Sequence, residues 1–221
     1  MRKVFLIYSI FCVLLVSGCA QLPIKTISQE DTSTLLNDFQ GRIGEKYEIL
    51  SSVAFKYRFF MVSSLGLTSI DLPKDYLAVA GVTPVGITLF KIVEEKGKVV
   101  KSFVIPEIAK RGDVTKAVSG SIRDIYFDLI PNSLISMVSQ GDRIYLKTSI
   151  QNDLQNEYVF SLNERTLLEK RLYKNGKLFW SIFYSNWFAD SSGKIHPRNI
   201  RFLHRQYGYQ LIINEKEVKP L

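Results

Sequence analysis

The 221-residue chain has a formal net charge of +8 and two cysteines. That length supplies one sizeable core and not two. One of the two cysteines, Cys12, lies inside an apolar leader, so no disulfide framework can hold the fold and the core must do so alone.

In chain order, Arg2 and Lys3 form a basic start and Val4 to Val16 is an almost unbroken apolar run. About thirteen residues is too short for a bilayer-spanning helix and suits the h-region of a secretory signal. Val16-Ser17-Gly18-Cys19 follows and resembles a bacterial lipoprotein lipobox, which implies cleavage before Cys19 and lipidation of its thiol and amino group. Residues 1–18 are then the signal peptide, and each buried methylene of the acyl chains adds about 0.8 kcal/mol of membrane anchoring. Ala20 and Gln21 follow the cysteine. The absence of Asp at the second mature position implies, by the same resemblance, an outer-membrane lipoprotein with its domain in the periplasm.

Without the signal, 203 of the 221 residues remain and the charge falls by its two basic residues to +6. From Arg165 to the end, eleven Lys or Arg face four acids. For an exported, lipid-anchored chain this points to anionic lipid head groups rather than nucleic acid, since basic residues near such a surface contribute about 1 kcal/mol each. A solvated basic surface that aids solubility fits equally well.

Leu22 to Thr34 is polar and reads, with Cys19, as a tether over residues 19–34, leaving 35–221 as the domain. Asp31 to Thr34 can cap a short helix carrying Leu35, Leu36, Phe39 and Ile43. From Tyr47 to Pro106 come short β-rich runs, expected at 52–62, 67–72, 76–82, 87–94 and 99–105, with Ser63 to Gly66 among the separators. Asp113 caps one long helix to about Leu129, with Val114, Ala117, Val118, Ile122, Ile125, Tyr126 and Leu129 on its apolar side and Pro131 as stop. Strands resume at 143–148, 157–162, 166–173, 177–187, 199–205 and 209–214. Asn175-Gly176 is a type I′ hairpin signal. Residues 177–187 are apolar on both faces, so both must be covered. The economical architecture is mainly β with one or two helices (α+β): a strongly curved antiparallel, half-open barrel of about eleven strands with a helical lid.

Leu77 to Phe90, with Thr83-Pro84-Val85-Gly86, is similar to the Pro-Leu-Gly loop of the lipoprotein receptor LolB. The segment Phe183 to Ile213, with Tyr184, Trp187, Gly193, Pro197, Ile200 and Tyr207-Gly208-Tyr209, resembles the final hairpin of LolA/LolB-type half-barrels. It resembles still more an uncharacterised family of proteobacterial outer-membrane lipoproteins of that fold. The resemblance implies an unclosed barrel with a helical lid over an apolar cavity for acyl chains. It also implies a protruding hydrophobic residue, here Val85, that helps insert lipoproteins into the membrane. A hairpin with Val85 packed inward fits the residues as well. Val85, Phe90, Ile122, Ile125, Tyr126, Trp180, Phe183 and Tyr184 are the candidate ligand-binding residues.

No catalytic constellation stands out. His196 and His204 have no metal-ligand spacing and read as structural or exposed. Asp124 and Asp128 read as the wet side of the helix, and no nucleophile elbow or phosphate loop occurs. The expectation is a non-enzymatic binding protein with no cofactor beyond the covalent lipid on Cys19, holding a lipid or lipoprotein acyl chain. The alternative is an envelope-assembly lipoprotein that docks a partner protein and holds no lipid.

Overall fold

The computed structural model describes residues 24–110, 112–151 and 153–221. The signal peptide and Cys19 lie outside the described residues. Chain order is β1 (Ile24–Thr26), α1 (Gln29–Arg42), β2 (Lys46–Tyr57), β3 (Phe60–Asp71), β4 (Tyr76–Val82), β5 (Thr88–Glu95), β6 (Lys98–Val104), α2 (Pro106–Ala109), α3 (Val114–Tyr126), β7 (Ser136–Gln140), β8 (Arg143–Gln151), β9 (Leu154–Ser161), β10 (Leu167–Lys174), β11 (Lys177–Ala189), β12 (Ile195–His204) and β13 (Tyr209–Pro220).

The strands form one antiparallel sheet in the order β1-β7-β8-β9-β10-β11-β12-β13-β2-β3-β4-β5-β6. It does not close: β1 and β6 are its edges. Among the described residues the strand number is thirteen, not about eleven. The two extra strands, β1 and β7, span three and five residues, too few to show a period of two. A second correction falls on β2 and β3. The chain turns at Arg58-Phe59, where Arg58 takes φ +52° without a Gly, Pro or Asn to mark it. Ser63 to Gly66, expected as a separator, lies inside β3.

The expected tether also contains ordered elements, since β1 begins at Ile24 and α1 at Gln29. The N-cap of α1 is Ser28, whose Oγ accepts from the Asp31 N–H at 3.1 Å, not one of residues 31–34. In α3 the expected cap is in place, Asp113 Oδ1 accepting from the Lys116 N–H at 3.0 Å. The helix ends at Tyr126, three residues earlier than expected, and Asp128 takes φ +50° beyond it.

One face of the sheet, hereafter the inner face, carries the core. There α1 buries Leu35 in the core and brings Phe39 onto Phe160 and Trp187, with ring centroids 5.2 and 5.5 Å apart. Arg42 donates to the Arg165 carbonyl and Lys194 Nζ to that of Gly41. The helix thus closes the sheet end that holds the β9–β10 and β11–β12 turns. Between β6 and β7 the chain crosses the inner face through α3, burying Ile122, Ile125 and Tyr126.

Candidate functional site

The C-terminal half of α3 is bonded to the sheet at almost every residue. Ser121 Oγ lies 2.9 Å from the Tyr209 hydroxyl. Arg123 donates to Glu94 Oε1 and Asp75 Oδ1, each at 2.7 Å. Lys170 Nζ donates to the carbonyls of Asp124 (3.2 Å) and Phe127 (2.9 Å), placing a cation where the helix exposes unsatisfied carbonyls and the negative end of its dipole. The Tyr184 hydroxyl donates to the Ile125 carbonyl at 2.8 Å. The Tyr126 hydroxyl donates to Glu215 Oε1 at 3.0 Å.

Burial shifts these groups. It lowers Lys170 to about 8, against the neighbouring Asp124 and Asp128 charges. It raises Asp124 to about 6, so Asp124 is not a fully wet residue. Glu215 is fully buried and raised to about 8 by that burial, with the Tyr126 hydrogen bond and Arg198 opposing.

Helix α3 stands over a cavity along its length. Its volume is about 310 Å³, and Val114, Ala117, Val118, Ser121, Ile122 and Tyr126 line it from the helix. From the sheet, β13, β2, β3, β4 and β5 line it with Leu211, Ile213, Val53, Phe55, Val62, Val79 and Phe90. The room comes from small residues paired across strands. Ser51 faces Gly66, Gly66 faces Gly81, and Val53 faces Ser64, all on the wall. Gly81 in turn faces Phe90, and a Cβ there would meet the Phe90 ring at 2.4 Å. The ring lies across the glycine because nothing else fits between them.

The β8–β12 half of the inner face is solid. Ile144, Leu146, Tyr158, Phe160, Leu167, Trp180, Ile182, Ile200 and Phe202 are buried there. Of the eight candidate residues, Phe90, Ile122 and Tyr126 line the cavity. Ile125, Trp180 and Tyr184 are in the packed core and Phe183 is half-buried with Arg201 4.7 Å above its ring. Val85 is 82% exposed at the tip of the Thr83–Ile87 turn, where Gly86 takes φ +89°. Large aromatic side chains attract attention in the sequence but fill space. Alternating small residues, Ser51 in β2 and Ser64, Gly66 and Thr68 in β3, are the signal that marks the cavity.

Both histidines are built into the core. His196 Nε2 is 2.9 Å from Asp190 Oδ2, and its ring is 4.7 Å from that of Tyr47. Burial lowers its pKa despite that carboxylate. His204 stacks among Phe179, Phe202, Tyr207 and Tyr209 and is likewise lowered by burial. Among the described residues no group of three or more His, Cys, Asp or Glu is placed to hold a metal ion. No helix among them is long and apolar enough to cross a membrane.

An unclosed antiparallel sheet with a helix crossing its inner face is the LolA/LolB-like fold, and solved structures bear this out. A LolA superfamily protein from Nitrosomonas europaea matches with TM-score 0.56 and 13% identity, over 86% of this chain and 93% of its own. A putative outer membrane lipoprotein-sorting protein domain from Vibrio parahaemolyticus matches at 0.55 and 10%, over 85% and 91%. A DUF1329 family protein from Desulfovibrio piger matches at 0.60 and 9%, over 86% and 92%. At these identities the likeness is one of fold. No family model matches the sequence, and a comparison with curated proteins finds no match.

Proposed function

We propose that the chain is a non-catalytic envelope lipoprotein that holds a lipid or acyl chain in the cavity beneath α3, for transfer or insertion of lipid or lipoprotein. The cavity carries this reading. Its walls are mostly aliphatic and aromatic, and its polar groups are Ser and Thr hydroxyls, Tyr hydroxyls and the Asp113 cap. Removing acyl surface from water at about 25 cal/mol per Å² is the driving force such a site supplies. At about 310 Å³ it is at the small end of ligand sites, the size for one chain rather than several. The sheet is a half-open barrel in this reading and α3 its lid, held to the sheet by bonds from its C-terminal half. The shifted groups Lys170, Asp124 and Glu215 hold the lid to the barrel, a structural use that supports a binding role over catalysis. Lipid on Cys19 anchors the domain at the periplasmic face of the outer membrane. The neighbour described as an outer membrane lipoprotein-sorting domain supports an envelope role.

The test is native mass spectrometry of the chain carrying Cys19→Ser, exported behind a cleavable signal and purified from periplasm without detergent. The expected result is a stoichiometric lipid adduct that falls at least fivefold in Ser64→Phe, which fills the wall opposite Val53. A clean apo mass that stays apo when phospholipid or fatty acid is offered overturns the proposal and favours partner docking without lipid.

A further inference from the structure

The turns of the sheet divide into two unlike sets. At the end closed by α1 are the turns 72–75, 96–97, 141–142, 162–166 and 190–194. Within two residues of them stand seven acids and six Lys or Arg, and Val99 and Leu162 are the exposed large hydrophobics within that range. At the opposite end are the turns after β2, β4, β8, β10 and β12. Within two residues of these turns the described charges are Lys56, Arg58, Lys174, Lys177 and Arg205 against one acid, Asp153. The same end exposes Phe59, Met61, Val85, Ile87 and Tyr207.

The β2–β3 hairpin concentrates both features. Phe59 is 107% exposed, so no described residue covers its ring, and Met61 is 65% exposed. Lys56 pairs directly with Met61 across the hairpin, and the Arg58 guanidinium lies 5.3 Å from the Tyr57 ring centroid. The adjoining Phe55 and Phe60 line the cavity. One hairpin therefore presents an uncovered aromatic with a basic collar on the outside and a cavity wall on the inside. The Thr83–Ile87 turn has no charged residue within two positions of it.

We propose that the β2–β3 hairpin is a membrane-docking wedge, with Phe59 and Met61 entering the head-group boundary of an anionic bilayer while Lys56, Arg58 and the neighbouring basic turns meet its phosphates. Apolar residues flanked by cations are stable at that boundary, where the ring leaves water and the charges stay hydrated. The cavity wall formed by Phe55 and Phe60 then lies beside the lipid. The contact stands whether or not the cavity holds a ligand. It also differs from the contact implied for Val85, whose turn lacks the cations. Ile24, five residues after Cys19, enters the sheet at the other end, opposite Gln140. Five residues reach at most about 17 Å, whereas a strand of β2's twelve residues runs about 40 Å. A domain held by both contacts lies along the bilayer.

The experiment is flotation of the exported Cys19→Ser chain with phosphatidylcholine vesicles and with vesicles containing 30% phosphatidylglycerol. Among the described residues all buried hydrophobics lie between Leu35 and Ile213, so this form retains that core. Binding to the anionic vesicles is expected, weakened at high salt, lost at least tenfold in Phe59→Ser/Met61→Ser and at least fivefold in Arg58→Glu, and within twofold of wild type in Val85→Ser. Phe59→Trp is expected to show blue-shifted emission on the same vesicles. Wild type that floats with neither vesicle, or a Phe59→Ser/Met61→Ser chain that floats as well as wild type, overturns the wedge. Binding abolished by Arg58→Glu but untouched at Phe59 and Met61 reduces the contact to charge and overturns it equally. Mass spectrometry of the double variant separates this outcome from failure of the cavity reading, because its lipid occupancy is expected to match wild type.

Discussion

The Tyr126 hydroxyl donates to the Glu215 carboxylate across 3.0 Å, tying the last turn of α3 to β13 inside the core. The second oxygen, Oε2, has no hydrogen-bond partner among the described residues. A buried carboxylate with one acceptor unmet is more stable with its proton on, which is why burial raises Glu215 to about 8. Tyr126 and Tyr47 are raised in turn, by burial first and then by the Glu215 charge.

A pH dependence follows from Glu215. Its folded-state pKa lies above the unfolded value, so between the two the native state binds the extra proton and stability falls as pH rises. Asp124 acts in the same direction up to about 6. The two histidines, lowered in the fold, act in the opposite direction below their unfolded value of about 6.5. Lys170, lowered in the fold to about 8, also acts in the opposite direction as the pH approaches 8; between about pH 6.5 and 7.5 Glu215 dominates, with a limiting slope of about 1.4 kcal/mol per pH unit. Urea unfolding at pH 6.5, 7.2 and 8 is expected to show falling stability in wild type. Glu215→Gln, which keeps an uncharged acceptor for Tyr126, is expected to lose that fall, to rise slightly towards pH 8 as Lys170 begins to deprotonate, and to be more stable than wild type at pH 8. Parallel curves for the two proteins would refute the assignment.

A second prediction concerns the cavity wall. An added Cβ at Gly81 meets Phe90 Cε1 at 2.4 Å and Cζ at 2.6 Å, so Gly81→Ala must displace the ring. The expected destabilisation is about 1–3 kcal/mol, the range for overpacking. In a Phe90→Ala background the same change has nothing to displace and is expected to be within about 0.5 kcal/mol of neutral. A double-mutant cycle by chemical denaturation measures the difference as coupling between the two sites. Additive effects would mean that the ring moves aside freely.

What could be read from the chain follows the reach of each signal. Helix α3 was legible because Asp113, its apolar period and its stop all lie within one stretch. The Asn175-Gly176 hairpin was legible because both residues take positive φ, +51° and +71°, which that pair tolerates. The Arg58-Phe59 turn was hidden, since its positive φ falls on an arginine. The site was legible only in part. Phe90, Ile122 and Tyr126 could be picked as apolar residues on the right elements. The room itself depends on Ser51, Gly66 and Gly81 being neighbours across three strands, a register that no local pattern contains. Lys170 was hidden for a similar reason. In Leu168-Glu169-Lys170-Arg171 it looks like one more surface charge, yet its ammonium crosses the core to a helix end that lies 43 residues away in sequence.

The last prediction tests that crossing. Lys170 is 3% exposed and donates to two carbonyls at the C-terminal end of α3. Two effects oppose each other in Lys170→Met. Removing the ammonium relieves the cost of burying a charge, the cost that lowers its pKa to about 8. It also leaves the Asp124 and Phe127 carbonyls without this donor and Asp124 without the Lys170 charge that favours its ionised form. Hydrogen bonds to charged groups contribute about 1.5–3 kcal/mol each, and stranding buried acceptors adds desolvation cost. With two such bonds lost, the second effect wins. The variant is expected to be destabilised by about 2–4 kcal/mol, or roughly 4–16 °C in Tm at about 2–4 °C per kcal/mol for a domain of this size. The change should appear as faster hydrogen exchange in Ile122 to Phe127. Lys177→Met, at the exposed start of β11, is the control and is expected to stay within about 0.5 kcal/mol of wild type. A Lys170→Met chain as stable as that control would show that the buried charge costs as much as its two bonds return.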